Sequence, residues 1–160
     1  MEEKDWLELL SGKNQLQKVI DMNQKTEKFG LALTEEEAKL LVERRQENLR
    51  EQQRVEFGEG ILPKLIFTFC DSPYIYQENY VETITRLQEI FYLYKNESMD
   101  ELTDDELLDY MKEAFEGECE GSLEFLEETV LEGFARNIRR EGNFFFGKNY
   151  KIRGGEKEDE

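Results

Sequence analysis

The sequence predicts an all-α fold, a single helical bundle of five or six helices with an irregular or short-strand C-terminal tail. Three observations lead there. Leu33-Thr34-Glu35-Glu36-Glu37 and Leu102-Thr103-Asp104-Asp105-Glu106 are near-copies of one helix-start signal, a Thr N-cap with Glu three places on. Between the breakers, apolar residues recur at three- and four-residue spacing. Outside the tail, no run alternates with the period of a strand.

The elements follow in order. Residues 1–25 hold one or two weaker helices carrying Trp6, Leu7, Leu9, Leu10, Leu16, Val19, Ile20 and Met22, broken at Ser11-Gly12. After Thr34, the positions Ala38, Leu41, Val42 and Leu49 share a face, and no breaker intervenes before Gly58. This predicts a helix of about 22 residues. Its polar second half, ERRQENLREQQR, is expected to run along the surface or cover another subunit. Gly58-Glu59-Gly60 turns the chain into a short apolar helix through Ile61, Leu62, Leu65, Ile66 and Phe69, with Pro63 in its first turn. Ser72 as N-cap and Pro73 at the first helical position predict the next start. Tyr80, Ile84, Leu87, Phe91 and Tyr94 stripe that helix as far as Asn96. The helix after Thr103 turns Leu107, Leu108, Met111 and Phe115 inward. A loop at Gly117–Gly121 precedes Ser122, the cap of a last helix with Leu123, Leu126, Val130, Leu131, Phe134 and Ile138 on its core side. Residues 1–153 are expected to form one domain, and 154–160, Gly154-Gly155 followed by mostly acidic residues, a disordered end.

Charge and missing residue types narrow the chemistry. The net charge is −17, and its distribution is uneven. Residues 97–132 hold fifteen acids against Lys112 alone, whereas 136–153 hold six bases against Glu141. Such a surface repels nucleic-acid phosphates and anionic membranes, so neither is expected as a partner. Histidine is absent, which excludes Ser-His-Asp triads, Cys-His dyads and HExxH zinc sites. Two isolated cysteines exclude a Cys-rich zinc site, no DxDxDG loop is present, and no cofactor is expected. The chain opens MEEKDWLELL, without a basic leader and apolar run, and LIFTFC is far short of the ~20 residues that span a bilayer. These features predict a cytoplasmic protein with Cys70 and Cys119 reduced.

Two places invite a functional reading. In FCDSPYIYQENY, residues 69–80, Cys70 sits beside an aspartate like a nucleophile. The favoured reading is a corner between two helices, where a thiol beside Phe69 acts as a small hydrophobe; a reactive thiol is the alternative. The second place is the tail. Phe144, Phe145 and Phe146 with Tyr150 cannot all face inward, and Arg139, Arg140, Lys148 and Lys151 flank them. This segment is the candidate partner or self-contact site, and its bases are poised to close onto the acidic 97–132 region within or between chains.

RVEFGEGILPKL, FCDSPYIYQENY, LYKNES at Leu93–Ser98 and GSLEFL together resemble a family of small acidic bacterial proteins of unknown function. The likeness covers roughly residues 25–140 and leaves the tail outside. It implies an intact bacterial domain and carries over no activity, cofactor or catalytic residue. The sequence therefore favours a non-enzymatic protein-binding or regulatory module, with a protein partner or self-association. A small enzyme holding a divalent metal through carboxylates is the first alternative. An acidic nucleic-acid mimic that occupies a basic protein is the second.

Overall fold

The structure, a computed structural model, describes residues 15–56 and 60–141, and the regular structure among them is helical throughout. Helix α1 covers residues 15–21. Helix α2 is Asn23–Thr26, continued by a 3-10 turn at Glu27–Phe29, and α3 is Glu35–Glu51. Helices α4 (Leu62–Phe69), α5 (Tyr80–Glu97) and α6 (Asp104–Glu116) follow. Helix α7 (Leu123–Phe125), a π-helical stretch (Leu126–Leu131) and α8 (Glu132–Glu141) run on as one rod.

Both predicted capping boxes form. Thr34 Oγ1 accepts from the Glu37 amide at 3.1 Å, and Glu37 Oε1 accepts from the Thr34 amide at 2.9 Å. Thr103 and Glu106 repeat the pattern at 3.1 and 2.9 Å. The leucines before them, Leu33 and Leu102, are buried. Each box satisfies two amides that a helix start leaves without partners.

Helix α5 is the centre: α3, α4, α6 and α8 all pack on it. Hydrogen bonds fix the directions. Gln77 pairs with Ala32, Gln88 with the Leu41 carbonyl and Asn96 with the Gln52 carbonyl, so α3 and α5 run parallel. Ion pairs from Arg86 to Glu127 and from Arg139 to Glu97 set the last rod in the same sense. Lys64 meets Asp105 and Lys112 meets the Thr68 carbonyl, so α4 and α6 run together. Lys95 on the last turn of α5 meets Asp104 on the first turn of α6, which makes that pair opposed to α5. The five main helices thus alternate in direction along the chain.

Helix α4 has only eight residues, and Leu62, Pro63, Leu65, Ile66 and Phe69 are all buried. Burial contributes about 1.5–3 kcal/mol for each large apolar side chain, so a helix too short to persist alone is held by its neighbours. Phe69 meets Phe115 of α6 edge to face at 5.6 Å, and Tyr74 meets the same ring at 5.9 Å. In the last rod the fully buried side chains are Leu126, Leu131, Ala135 and Ile138. The five-residue step from Leu126 to Leu131 would swing off one face of an α-helix, and the π-helical stretch brings it back into line.

Three expectations are corrected. Helix α3 has 17 residues, not about 22, and its polar half is not all on the surface, because Arg45, Asn48 and Leu49 are buried. It stops where Gln53 turns left-handed at φ 56°; the Gln53 amide then donates to the Arg50 carbonyl at 3.1 Å and the Arg54 amide to the Leu49 carbonyl at 2.9 Å. Ser72 caps a turn instead of a helix, its Oγ accepting from the Tyr74 amide, and α5 begins at Tyr80. Between them Tyr76 is extended and a 3-10 turn at Gln77–Asn79 leads into α5; the Asn79 side chain accepts from the Tyr76 amide at 2.9 Å and donates to the Tyr74 carbonyl at 3.2 Å. The expected helices through Trp6 and Leu10, Gly58-Glu59 of the turn, and the tail from residue 142 lie outside the described residues.

Glycine matters most at Gly121, which has φ 85° and closes the loop onto Ser122. A Cβ there would lie 2.6 Å from Tyr74 Cδ1 and 2.9 Å from its Cβ. Gly30 has a similar φ of 80° but open space around it. Gly30→Ala should therefore cost only the conformational penalty, about 1–2 kcal/mol. Gly121→Ala should cost clearly more, about 2–4 kcal/mol, because the neighbour is the root of a packed ring. Urea denaturation of the two variants checks the order; equal losses would show that Tyr74 gives way freely.

Candidate functional site

At the end of the bundle where α3 and α5 finish and α4 begins, the chain gathers charge. Arg45 of α3 is almost wholly enclosed, its side chain 2% exposed, and its Nε donates to Glu56 Oε1 at 2.8 Å. The other oxygen of Glu56 accepts from the Tyr92 hydroxyl of α5 at 2.7 Å and from the Ile61 amide at 3.3 Å. One carboxylate thus ties α3, the loop after it, α4 and α5. Gly60, at φ 72°, is required beside it, because a Cβ would run into the Glu56 carboxylate. Burial, and then the Glu56 carboxylate, push the Tyr92 hydroxyl far above the ordinary phenol range. With both oxygens engaged, Glu56 is an anchor.

Around this hub lie Arg54, paired with Asp100 at 2.8 Å, and Lys95, whose Nζ meets Asp104 at 2.9 Å and the Leu102 carbonyl at 2.6 Å. Arg54 holds the Asp100 carboxyl below its ordinary range through this hydrogen bond. A cleft of about 430 Å³ opens here, lined by Arg54, Val55, Lys64, Tyr92 and Asp104. Its walls carry both signs, and Lys64 itself faces Asp105.

A second opening of about 610 Å³ runs between the first halves of α3 and α5. Leu40, 45% exposed, and the half-buried Val81 form its apolar floor. Glu37, Glu78 and Glu82 line it with Arg44 and Arg86. Both arginines are held by carboxylates: Arg44 by Glu47 and Glu89, Arg86 by Glu89 and Glu127. Acid therefore dominates the rim.

Cys70 lies buried at the end of α4, where its Sγ donates to the Phe67 carbonyl at 3.2 Å. Burial, and then Asp71, raise its pKa above the ordinary thiol range. Cys119 is likewise buried and pushed up to about 11, by burial and then Glu118. Both thiols are held in the protonated, weakly nucleophilic form. Among the described residues, no group of three or more carboxylates and thiols is arranged to hold a metal ion, and no helix is long and apolar enough to cross a membrane.

Of the bases flanking the tail, Arg139 is spent within the bundle, on Glu97 at 2.7 Å and Glu132 at 3.2 Å. Arg140 donates to Asn137, one turn back. Phe144, Phe145, Phe146 and Tyr150 lie outside the described residues. The structure brings Arg139 to Glu97 and Glu132 of the acidic region, and places Cys70 at the end of α4 between Phe69, which meets Phe115, and Asp71, which pairs with Lys112 at 2.7 Å. Sequence reasoning missed Arg45, Glu56 and Tyr92. Their one signal was an arginine at a position in phase with Ala38, Leu41 and Leu49.

The model of a family of unknown function, DUF6323, matches residues 18–144. The chain belongs to this family. The DUF6323 match contains the whole stretch, roughly 25–140, on which the resemblance rested, and spans every helix from α2 to α8. No curated protein and no solved structure matches the chain.

Two outcomes follow for this DUF6323 chain. Arg45→Met should leave Glu56 enclosed without its partner and cost about 3–5 kcal/mol by urea denaturation. Pairing it with Glu56→Gln should recover part of that loss; a double variant worse than the sum of the singles would refute the hub. For the thiols, the folded state binds more protons than the unfolded chain once pH exceeds the ordinary thiol range. Stability should be flat below that range and fall as pH rises toward about 11, and Cys119→Ala should flatten the fall. At mildly alkaline pH, native alkylation of Cys70 should be far slower than after unfolding. Rapid native labelling mapped to Cys70 would restore it as a nucleophile.

Proposed function

We propose that the protein is a binding module and that the groove between α3 and α5 receives a basic, amphipathic helical segment of a partner protein. The observation that carries this reading is the groove's composition: an apolar floor of Leu40 and Val81 under a rim where Glu37, Glu78 and Glu82 outweigh two arginines already held by glutamates. Two parallel helices of 17 and 18 residues give such a segment a straight channel to lie along. Apolar anchors at helical spacing would meet the floor, and flanking lysines or arginines the rim. The chain-wide charge of −17 favours the same partner chemistry.

A display library of helical peptides selected against the immobilised full chain tests this. Selection should enrich peptides with apolar residues three and four apart and Lys or Arg between them. Leu40→Glu should weaken their binding by about tenfold or more, equivalent to ~1.4 kcal/mol, with unchanged far-UV circular dichroism. Peptides that bind Leu40→Glu as well as the parent chain would overturn the proposal, as would a selection with no basic bias.

A further inference from the structure

Most bases of the bundle are answered by carboxylates, but Lys25 of α2 and Lys28 of the 3-10 turn after it are not. Both are exposed, and among the described residues neither pairs with an acid. Each lies instead over the face of an exposed phenylalanine. Lys25 Nζ is 5.5 Å from the centre of the Phe67 ring, and Lys28 Nζ is 5.4 Å from that of Phe29. Phe67 is 57% exposed and Phe29 44%. Two observations join these pairs into one patch. Lys25 carries α2 onto α4, since Phe67 belongs to α4. Lys28 is close enough to Cys70 to oppose, weakly and after Lys112, the upward push of burial and Asp71 on that thiol. Cys70 Sγ in turn donates to the Phe67 carbonyl. Of the nearby acids, Asp71 is held by Lys112, which leaves Glu27 between the two lysines.

The same end of the bundle carries the converse surface. Phe69, at the end of α4, meets Phe115, and Phe115 meets Tyr74. The root of Tyr74 fills the space beside Gly121, and Ser122, the next residue, accepts from the Phe125 amide at 3.1 Å. Contacts therefore run without a gap from the end of α4 to the start of the last rod. There the Phe125 side chain is 40% exposed. Glu124 adjoins it and Glu128 follows within one turn. Both glutamates are exposed, and among the described residues neither is in an ion pair. Glu127, by contrast, is held by Arg86. One end of the molecule thus shows rings with unanswered cations and a ring with unanswered anions.

We propose that two copies of this chain pair end to end about a two-fold axis, Phe125 of each lying on Phe29 and Phe67 of the other, and Glu124 and Glu128 of each meeting Lys25 and Lys28 of the other. Complementary patches on opposite faces would run on as a filament; on one end they close at two, and the axis makes the contact twice. The rings supply the apolar ground that loses its water. An ammonium held over a ring keeps N–H groups free for a carboxylate. The net charge of −17 opposes association at long range. At physiological salt, screening over about 8 Å leaves the groups at the contact, where the signs are opposite, to decide. The pairing does not use the α3–α5 groove and does not rest on its reading.

Sedimentation velocity on the full chain tests this. The parent should pass from monomer to dimer as concentration rises and go no further. Lys25→Glu with Lys28→Glu should weaken the dimer by about tenfold or more, and so should Glu124→Lys with Glu128→Lys, each with unchanged far-UV circular dichroism. Mixed in equal amounts, the two variants should pair again to within about threefold of the parent, because each then offers the sign that the other lacks. Both variants remain net acidic, so bulk attraction cannot produce that recovery. A parent that stays monomeric up to about 1 mM would overturn the proposal. So would charge reversals that leave the dimer unchanged, a mixture that stays monomeric, or a mass that grows beyond two chains.

Discussion

A buried guanidinium cannot shed its proton, so Arg45 imposes a condition on everything around it. Enclosing one ion without a partner costs several kcal/mol, and the carboxylate that answers Arg45 is eleven residues on. In a continuing helix those residues would stand about 16 Å apart along the axis, beyond any side-chain contact. Helix α3 must therefore end and the chain must double back. The left-handed residue Gln53 does this two residues after Glu51, and Glu56 then reaches Arg45, Tyr92 and the Ile61 amide. The length of α3, the position of α4 and the small residue at position 60 all follow from that one pairing.

The rest of the bundle is fastened by a related device, polar side chains bonded to backbone that no helix satisfies. The extended segment 31–33 is an example. Leu31 exchanges bonds with Thr26, Ala32 with the side-chain amide of Gln77, and Leu33 with that of Asn23, at 2.7–3.2 Å. Every peptide group in this crossing finds a partner, which allows it to lie against the core. Lys95 and Lys112 act similarly at the two ends of α6, each joining a carbonyl to a carboxylate. These contacts sit where the core stripes end, so packing and polar closure specify the same arrangement.

How legible this was in the sequence depended on the range of the interaction. The capping boxes at Thr34 and Thr103 and the serine cap at Ser122 were readable because donor and acceptor lie within four residues. The core stripes of α4, α5 and α6 were readable because a buried face repeats. The end of α3 was not, since Gln53 takes the left-handed position that glycine usually announces. Ser72-Pro73 looked like a helix start because the signal is local, and Asn79, seven residues later, decides otherwise. Arg45 and Glu56 looked like two charges on solvated ground. Only the fold brings one to the other, so a polar run that seemed to face water holds the best-enclosed ion of the described residues.

The same pairings shape what the surface offers. Arg44, Arg54, Lys64, Arg86, Lys112 and Arg139 each face a carboxylate. Cations so engaged neutralise their partners and little else, and the chain as a whole keeps a net charge of −17. A field of that sign draws cationic surfaces in, with an on-rate that falls as salt rises, and turns polyphosphates away. Attraction alone selects no partner, however. Selection needs apolar ground on which an anchor can lose its water, and two of the exposed apolar spots, at Leu40 and at Val55, lie toward opposite ends of the α3–α5 pair. Leu40 and Val81 form a channel between parallel helices, suited to a helix laid lengthwise. Val55 and Met99 stand beside Arg54 and Asp100 in the chain, at the blunt end where those two pair. The two spots share one electrostatic sign, so shape and not charge is what distinguishes them.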